Sequence, residues 1–498
     1  SRSYTERNYW YNEYENNLKG NYKVRGKVEF NGKPMPFVEV YIQDSVSFRT
    51  GGNDHIAITD INGEYETLGI RPGTYQIGIG LSNSLLYDKV YLRKNIRSLD
   101  LNSDMEFDFT FNSPIKIISP KPGTIIDEDK FKVEWDNVPD ADYYTVELTT
   151  LKRNENRVIS TFRTPIVDGK GDYRIKDTLA EFDTNESRNN IGGLGFDGEE
   201  MLLQPMGILG NILPGEEHPI TVNAYDENDN LIGSTLPLNS LYENIPSIKV
   251  NGGLSDGEKL ISDMKYEEAI KHYEEKLQKD PDNKEALVYL SKIYMIGWKK
   301  GEENFDKAIE YTTRYKELTD DYNLSLKLVG FMGHEARINN KEFIENLFDE
   351  IPINFRNEEY YYQLGRFYIS MGEHEKSRDA YISFINMNTT YVPDNILYLD
   401  LYLKDFDSAI NILSDNKFNP LRMSKHILIS SIQGLATDNI SGADFELFKS
   451  FLDRILKGNI EEAQGKELFY STINKISNPN LINILKEIKL EMYWDRVY

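Results

Sequence analysis

KYEEAIKHYEEKLQKDPDNKEALVYLSKIYMIG, Lys265 to Gly297, decides how the larger half of this chain is built. Tyr266, Ala269, Ile270, Tyr273 and Leu277 recur at helical spacing and form one apolar stripe. Asp280-Pro281-Asp282 ends that helix, because proline cannot continue it and pushes the preceding residue out of the α region. Leu287, Leu290, Ser291 and Tyr294 then open a second helix. Two short helices with a tight joint cannot bury both stripes alone, so they require neighbours of the same kind.

Those neighbours follow. Tyr266-x-x-Ala269-Ile270 returns as Phe305-x-x-Ala308-Ile309, in weaker form as His374-x-x-Ser377, and as Phe406-x-x-Ala409-Ile410. Tyr361, Leu364, Gly365 and Tyr368 repeat the spacing of Leu287, Leu290, Ser291 and Tyr294. A small residue where two helices cross lets their backbones approach to about 8 Å. The pattern resembles the tetratricopeptide repeat, a helical hairpin of about 34 residues. The match is good from Tyr266 to Pro281 and from Tyr361 to Tyr381, and poor over 323–350, where Phe343 stands in the small-residue position. Residues Ile296 to Phe305 overfill the turn of the second repeat.

The rest of the chain has a different period. From Tyr22, YKVRGKVEF, FVEVYIQ, HIAITD, TYQIGIGL and KVYLR alternate apolar and polar residues, as half-buried strands do. Asn31-Gly32, Asp60-x-Asn62-Gly63 and Arg71-Pro72-Gly73 mark the reversals. The order of Gly26, Pro36, Asp60, Gly63, Tyr65, Pro72, Gly73 and Tyr75 resembles the carboxypeptidase regulatory-like domain, a transthyretin-like β-sandwich. That resemblance implies a non-catalytic spacer or docking surface. FKVEWDNVPDADYYTVELTTL and HPITVNAYDENDNLIGST, with Trp135, Tyr144 and Tyr225, resemble a fibronectin type III or immunoglobulin-like sandwich.

The expected architecture is two antiparallel β-sandwiches followed by an all-α superhelical repeat region. Its parts are a tether over 1–20, sandwiches over 21–112 and 113–250, helical repeats over 251–415 and capping helices over 416–498. The tether carries Tyr4, Tyr9, Trp10, Tyr11 and Tyr14. Residues 165–214 read as an insertion of irregular backbone, with a short helix around Glu199–Gln204. Long insertions on rigid sandwiches are common recognition elements.

Bulk properties narrow the chemistry. The 498 residues carry a formal net charge of −24, which disfavours nucleic acid and anionic lipid as partners. There is no cysteine, which excludes disulfides and thiolate sites and fits export from a bacterium of Gram-positive type somewhat better than drift. No run reaches 18 apolar residues, so no transmembrane helix is expected. The expected location is extracytoplasmic, at a bacterial cell surface, with a lipid anchor upstream of Ser1. Gly193-x-Gly195-x-x-Gly198 matches a dinucleotide fingerprint but lacks the preceding strand and the following crossover helix. Ser262-Asp263-Met264-Lys265 lacks the companion motifs of the serine–lysine enzymes. Histidines 55, 218, 272, 334, 374 and 426 are scattered without metal-ligand spacing. No catalytic residue, cofactor or metal is assigned.

What remains is recognition. In a superhelix of hairpins the first helix of each pair lines the concave face. Its flanking positions are Val288, Lys292 and Met295 in one repeat and Tyr362, Arg366 and Ile369 in a later one, with Lys327 and His334 between them. Lys292 and Arg366 occupy corresponding places and suit an extended peptide bearing a carboxylate. The expected role is therefore a non-catalytic adaptor for a protein or peptide. The alternative is a carbohydrate- or cell-wall-binding protein using the 165–214 insertion.

Overall fold

The computed structural model describes residues 20–44, 55–67, 69–80, 84–126, 130–154, 157–165, 173–183, 191, 194–197, 199–210, 215–238, 246–387, 391–437 and 440–492. Residues before about 250 form several β-sheets and those after it are helical. The aromatic tether and the glycines Gly193 and Gly198 lie outside the described residues.

The first β unit builds two sheets over one core. Val24–Phe30 pairs with Lys33–Pro34 and Glu64–Glu66 antiparallel, and with Met105–Glu106 and Phe109–Asn112 in parallel. The other sheet runs in the order His55–Ile58, Glu39–Asp44, Gly73–Ile79, Leu99–Leu101, with every pairing antiparallel. Inward residues Val28, Val40, Ile42, Phe109 and Phe111 are fully buried. The Asp60 turn forms as its residues require: the Asp60 carboxylate accepts from the N–H groups of Asn62 and Glu64 at 2.8 and 2.9 Å, and Gly63 takes φ +73°.

In the second β unit Lys130–Trp135 lies between Ile117–Ser119 and Leu179–Asp183. The other sheet is centred on Tyr143–Asn154 and Glu217–Tyr225. Trp135, 1% exposed, packs edge-on against Tyr144 with ring centroids 5.3 Å apart.

Two expectations change here. One sheet of each unit is mixed rather than antiparallel: besides the parallel pairs of the first unit, Thr124–Ile126 runs parallel to Ser247–Val250 in the second. Alternation of apolar residues fixes which face a strand buries but not its direction. Strands at opposite ends of a unit have ample chain between them for the crossover that parallel pairing needs. The 165–214 stretch is also more regular than expected, because Leu179–Asp183 is an edge strand in five-pair register with Lys130–Glu134. Its helical turn sits at Met206–Leu209 rather than Glu199–Gln204. Pro205 starts that turn, and Leu202–Leu203 pairs instead with Phe196–Asp197.

The helical half follows the sequence closely in its first two hairpins. Helices span Asp256–Ser262, Tyr266–Lys279, Lys284–Ile296 and Phe305–Thr319, and the Asp280-Pro281 break falls where proline dictates. Asn283 and Asn304 cap their helices by accepting from the backbone N–H three residues on, each at 3.1 Å. Asn323–Phe331 follows; its expected partner is broken into His334–Asn339 and Lys341–Glu350, with Asn340 at the joint. Regular pairing resumes with Glu358–Ser370 and His374–Ile385, then Asp394–Tyr402 and Phe406–Ser414. Ala269, Ala308, Ser377 and Ala409 are fully buried where helices cross. A Cβ on Gly365 would stand 2.8 Å from the Tyr381 ring, so the backbones there approach as closely as a missing side chain allows. Lys425–Thr437, Gly442–Lys457, Glu462–Ile473 and Pro479–Glu491 complete the chain.

Candidate functional site

The eight residues expected along the inner helical wall divide into two groups. Val288, Lys292 and Met295 are buried, Lys292 at 0% exposure. Their cover is the chain's own segment 201–209. Leu203, Ile208 and Leu209 join the same apolar core as Tyr266, Ala269 and Leu287. The Tyr266 hydroxyl donates to the Leu203 carbonyl at 2.5 Å, and the Lys292 ammonium donates to the Ile208 carbonyl at 3.0 Å. Burial pushes the Lys292 amine well below the usual lysine range, and the neighbouring Lys327 charge pushes the same way. An open groove at this repeat is thus not what the fold presents.

Two oddities of the sequence explain each other here. The long turn that overfills the second repeat reaches the β half: Leu203 N–H donates to the Trp298 carbonyl at 2.9 Å, and Lys300 N–H donates to the Met201 carbonyl at 3.2 Å. Leu202 and Lys299 form an antiparallel bridge. The insertion of one half and the surplus turn of the other are two sides of a single strand-like contact.

Farther along, the wall differs. Lys327, His334, Tyr362 and Arg366 are half-buried, while Ile369 turns into the core shared with Tyr381 and Leu397. Arg366 Nη1 donates to the Gly330 carbonyl at 2.8 Å and to Gln363 Oε1 at 3.1 Å. Gln363 Nε2 in turn donates to Glu359 Oε1 at 2.8 Å. Burial lowers the Lys327 amine, and Glu359 and Asp321 oppose that shift. A polar row of Lys327, Glu359, Gln363 and Arg366 thereby runs along the wall. Beside it Tyr362 packs on Phe384 and Tyr381, and Phe384 on Tyr391. Arg174, from the second β unit, pairs with Glu358 at the edge of this row.

One residue the sequence reading passed over stands behind the row. Arg337 is buried, donates from Nε to Ser370 Oγ at 2.8 Å and from Nη1 to the Met332 carbonyl, and is lowered to about 10 by burial and by the Arg366 charge. Among the described residues neither Arg337 nor Arg366 has a carboxylate within ion-pair reach. Arg337 lies in the stretch where the repeat spacing fails, so periodicity gave no signal for it. His334 neighbours Arg337 and Lys457; burial first and then Lys457 lower its imidazole, and its Nδ1 is buried with no hydrogen-bond partner among the described residues.

The helical half meets the β half again near its C-terminal helices. Asp100 accepts from Ser424 Oγ at 2.8 Å and from His426 N–H at 2.8 Å, and Ser98 Oγ donates to the Pro420 carbonyl at 3.0 Å. Among the described residues the helical half meets its own β half at 201–209, at Arg174, at 98–100 and through the Lys417–Asp229 pair at 3.8 Å.

No protein-family model matches the chain, and no curated protein matches it at a significant level. Among solved structures it is similar to a DUF3823 family protein from Bacteroides ovatus, 8% identical, with 46% of this chain and 99% of that chain covered at a TM-score of 0.14. A DUF3823 family protein from Parabacteroides merdae is similar at 12% identity, with 46% and 98% covered and the same TM-score of 0.14. At that score neither likeness bears on fold or function. No helix among the described residues is long and apolar enough to cross a membrane.

Proposed function

We propose that this chain is a non-catalytic adaptor that binds an extended protein segment along the half-buried part of its inner helical wall. The observation that carries the reading is the Arg337–Arg366 pair: two neighbouring guanidiniums without a carboxylate among the described residues, in a chain of net charge −24. Buried or half-buried cations in an acidic protein are ordinarily paired. One with no carboxylate among the described residues, facing a polar row, suits a carboxylate brought by a partner, which an Arg fork holds through two parallel hydrogen bonds. Tyr362 and Tyr391 supply the apolar flank such a peptide needs. Lys327, His334, Tyr362 and Arg366 form this surface. Val288, Lys292, Met295 and Ile369 support it from within.

On this reading the helices are a tetratricopeptide-like superhelix over 251–415 with capping helices over 416–498. The β half is a carboxypeptidase regulatory-like unit over 21–112 and a fibronectin III-like unit over 113–250, acting together as a brace. An exported, extracytoplasmic setting goes with this reading, since a chain without cysteine has no thiol to oxidise there.

The test is a pull-down with the full chain, since 201–209 is part of the helical core. A partner recovered by wild type and lost with Arg366→Glu, at unchanged thermal stability, supports the reading. Equal recovery by both proteins discards this surface.

A further inference from the structure

A second charged cluster lies away from the wall just described. The carboxylate of Glu491 accepts from the N–H groups of Leu421, Arg422 and Met423, at 2.9, 2.6 and 3.2 Å. Glu487, one turn earlier on the same helix and 7% exposed, accepts from the N–H of Ser424 at 2.7 Å. Asp100 of the first β unit reaches the same Ser424 from the other side, its two oxygens 2.8 and 3.0 Å from Oγ. It also takes the His426 N–H, so a carboxylate from the β half caps the Lys425–Thr437 helix. Two carboxylates from opposite halves of the molecule therefore converge on one buried serine.

We propose that this junction is a proton-operated latch: Glu487 binds a proton when Asp100 docks at Ser424, so the first β unit sits more firmly on the C-terminal helices in acid. The reason is local. Two ionised carboxylates sharing a dry site repel, and burial favours the neutral form of the less well solvated one. Burial, then the Asp100 charge, raise Glu487 to about 7, against the lowering effect of the Ser424 N–H.

Other charges facing the site do not cancel this. Lys425 acts on Asp100 and Asp415. Arg97 acts on Asp394, which burial and the Glu491 charge raise to about 7. Tyr398 faces Asp394 and Glu491 and is pushed up by burial. Arg422 and His426 meet the carboxylates through their backbone N–H groups. Lys489 points to Tyr470 on the far side of the helix.

The sign follows from the raised value. A carboxyl held up at about 7 by burial and by the docked Asp100 contributes fully below its undocked value, and its contribution is lost as pH rises to the docked one. The latch is independent of the partner surface and is read without any partner. Amide-exchange protection factors for 421–426 in the full chain, measured from pH 5 to pH 8, should fall by up to about tenfold per unit toward pH 7 and then level off. Glu487→Gln keeps the carbonyl that accepts from Ser424 but cannot ionise, and should reduce that slope while keeping high protection at pH 8. Asp100→Asn, which keeps the capping oxygen and removes the opposing charge, should also reduce it and provides the result if the first variant does not fold. A wild-type profile flat from pH 5 to pH 7, or the same slope in the variant measured, overturns the proposal.

Discussion

The helices Lys284–Ile296 and Glu358–Ser370 carry the same sequence spacing, which puts Lys292 and Arg366 at matching positions, yet their surroundings are opposite. Lys292 is sealed under Ile208 and gives its proton donor to a backbone carbonyl of its own chain. Arg366 holds a carbonyl and an amide with one of its nitrogens at the rim of the sealed region. The contrast shows that a repeat position determines which way a side chain points, not what meets it there. The β half decides that, because among the described residues it meets the helical half at 201–209, at Arg174 and at 98–100.

The largest expected effect breaks the sealed side. Leu203 is fully buried between Tyr266 and the Trp298 turn. Leu203→Ala should lower unfolding free energy by about 2–5 kcal/mol, from lost apolar burial and the cavity left behind. Chemical denaturation measures this; a change below about 1 kcal/mol would show that the segment rests on the helices without supporting them.

Next comes the helix crossing beside the open side. Gly365→Leu forces a side chain toward the Tyr381 ring and should cost about 1–3 kcal/mol by overpacking, readable as a lowered thermal midpoint. An unchanged midpoint would mean that the crossing has room to spread.

Lys292→Met sharpens the comparison directly. Replacing a buried ammonium by an apolar side chain of similar length should be neutral or stabilising, by up to about 1–4 kcal/mol at pH 7. Because the amine of Lys292 is lowered, its unfavourable contribution is full below the folded value and fades as pH rises toward 10.5. Wild type should therefore gain stability relative to Lys292→Met as pH is raised from neutral to about 10. Parallel curves would mean that Lys292 keeps its proton at no cost.

The smallest expected effect on stability is at the open side. Arg366→Gln keeps a donor for the Gly330 carbonyl and should change unfolding free energy by about 1 kcal/mol or less. A larger loss would make Arg366 a structural member like Lys292, and the two helices would no longer differ in kind.

Much of this molecule was readable from residue order. The alternation in YKVRGKVEF, the Asp60–Gly63 turn, the stop at Pro281 and the buried small residues Ala269, Ala308 and Ala409 all follow from local rules of period, turn chemistry and steric size. The parallel pairings and the Leu179–Asp183 strand did not, since strand direction and partner are non-local and leave no mark on alternation. Arg337 was missed because the repeat spacing fails around it.

By itself the sequence determined the elements, the face each one buries and the register of the better-matched helical hairpins, because those depend on neighbours within a few residues. Only the tertiary structure decided which stretch of the inner wall is covered, and whether Lys292 and Arg366 share a role. That depends on chain segments about 80 to 330 residues apart in sequence meeting at 203 with 298, at 208 with 292 and at 100 with 424. Contacts of that range arise from how whole faces fit together, and no local pattern records them.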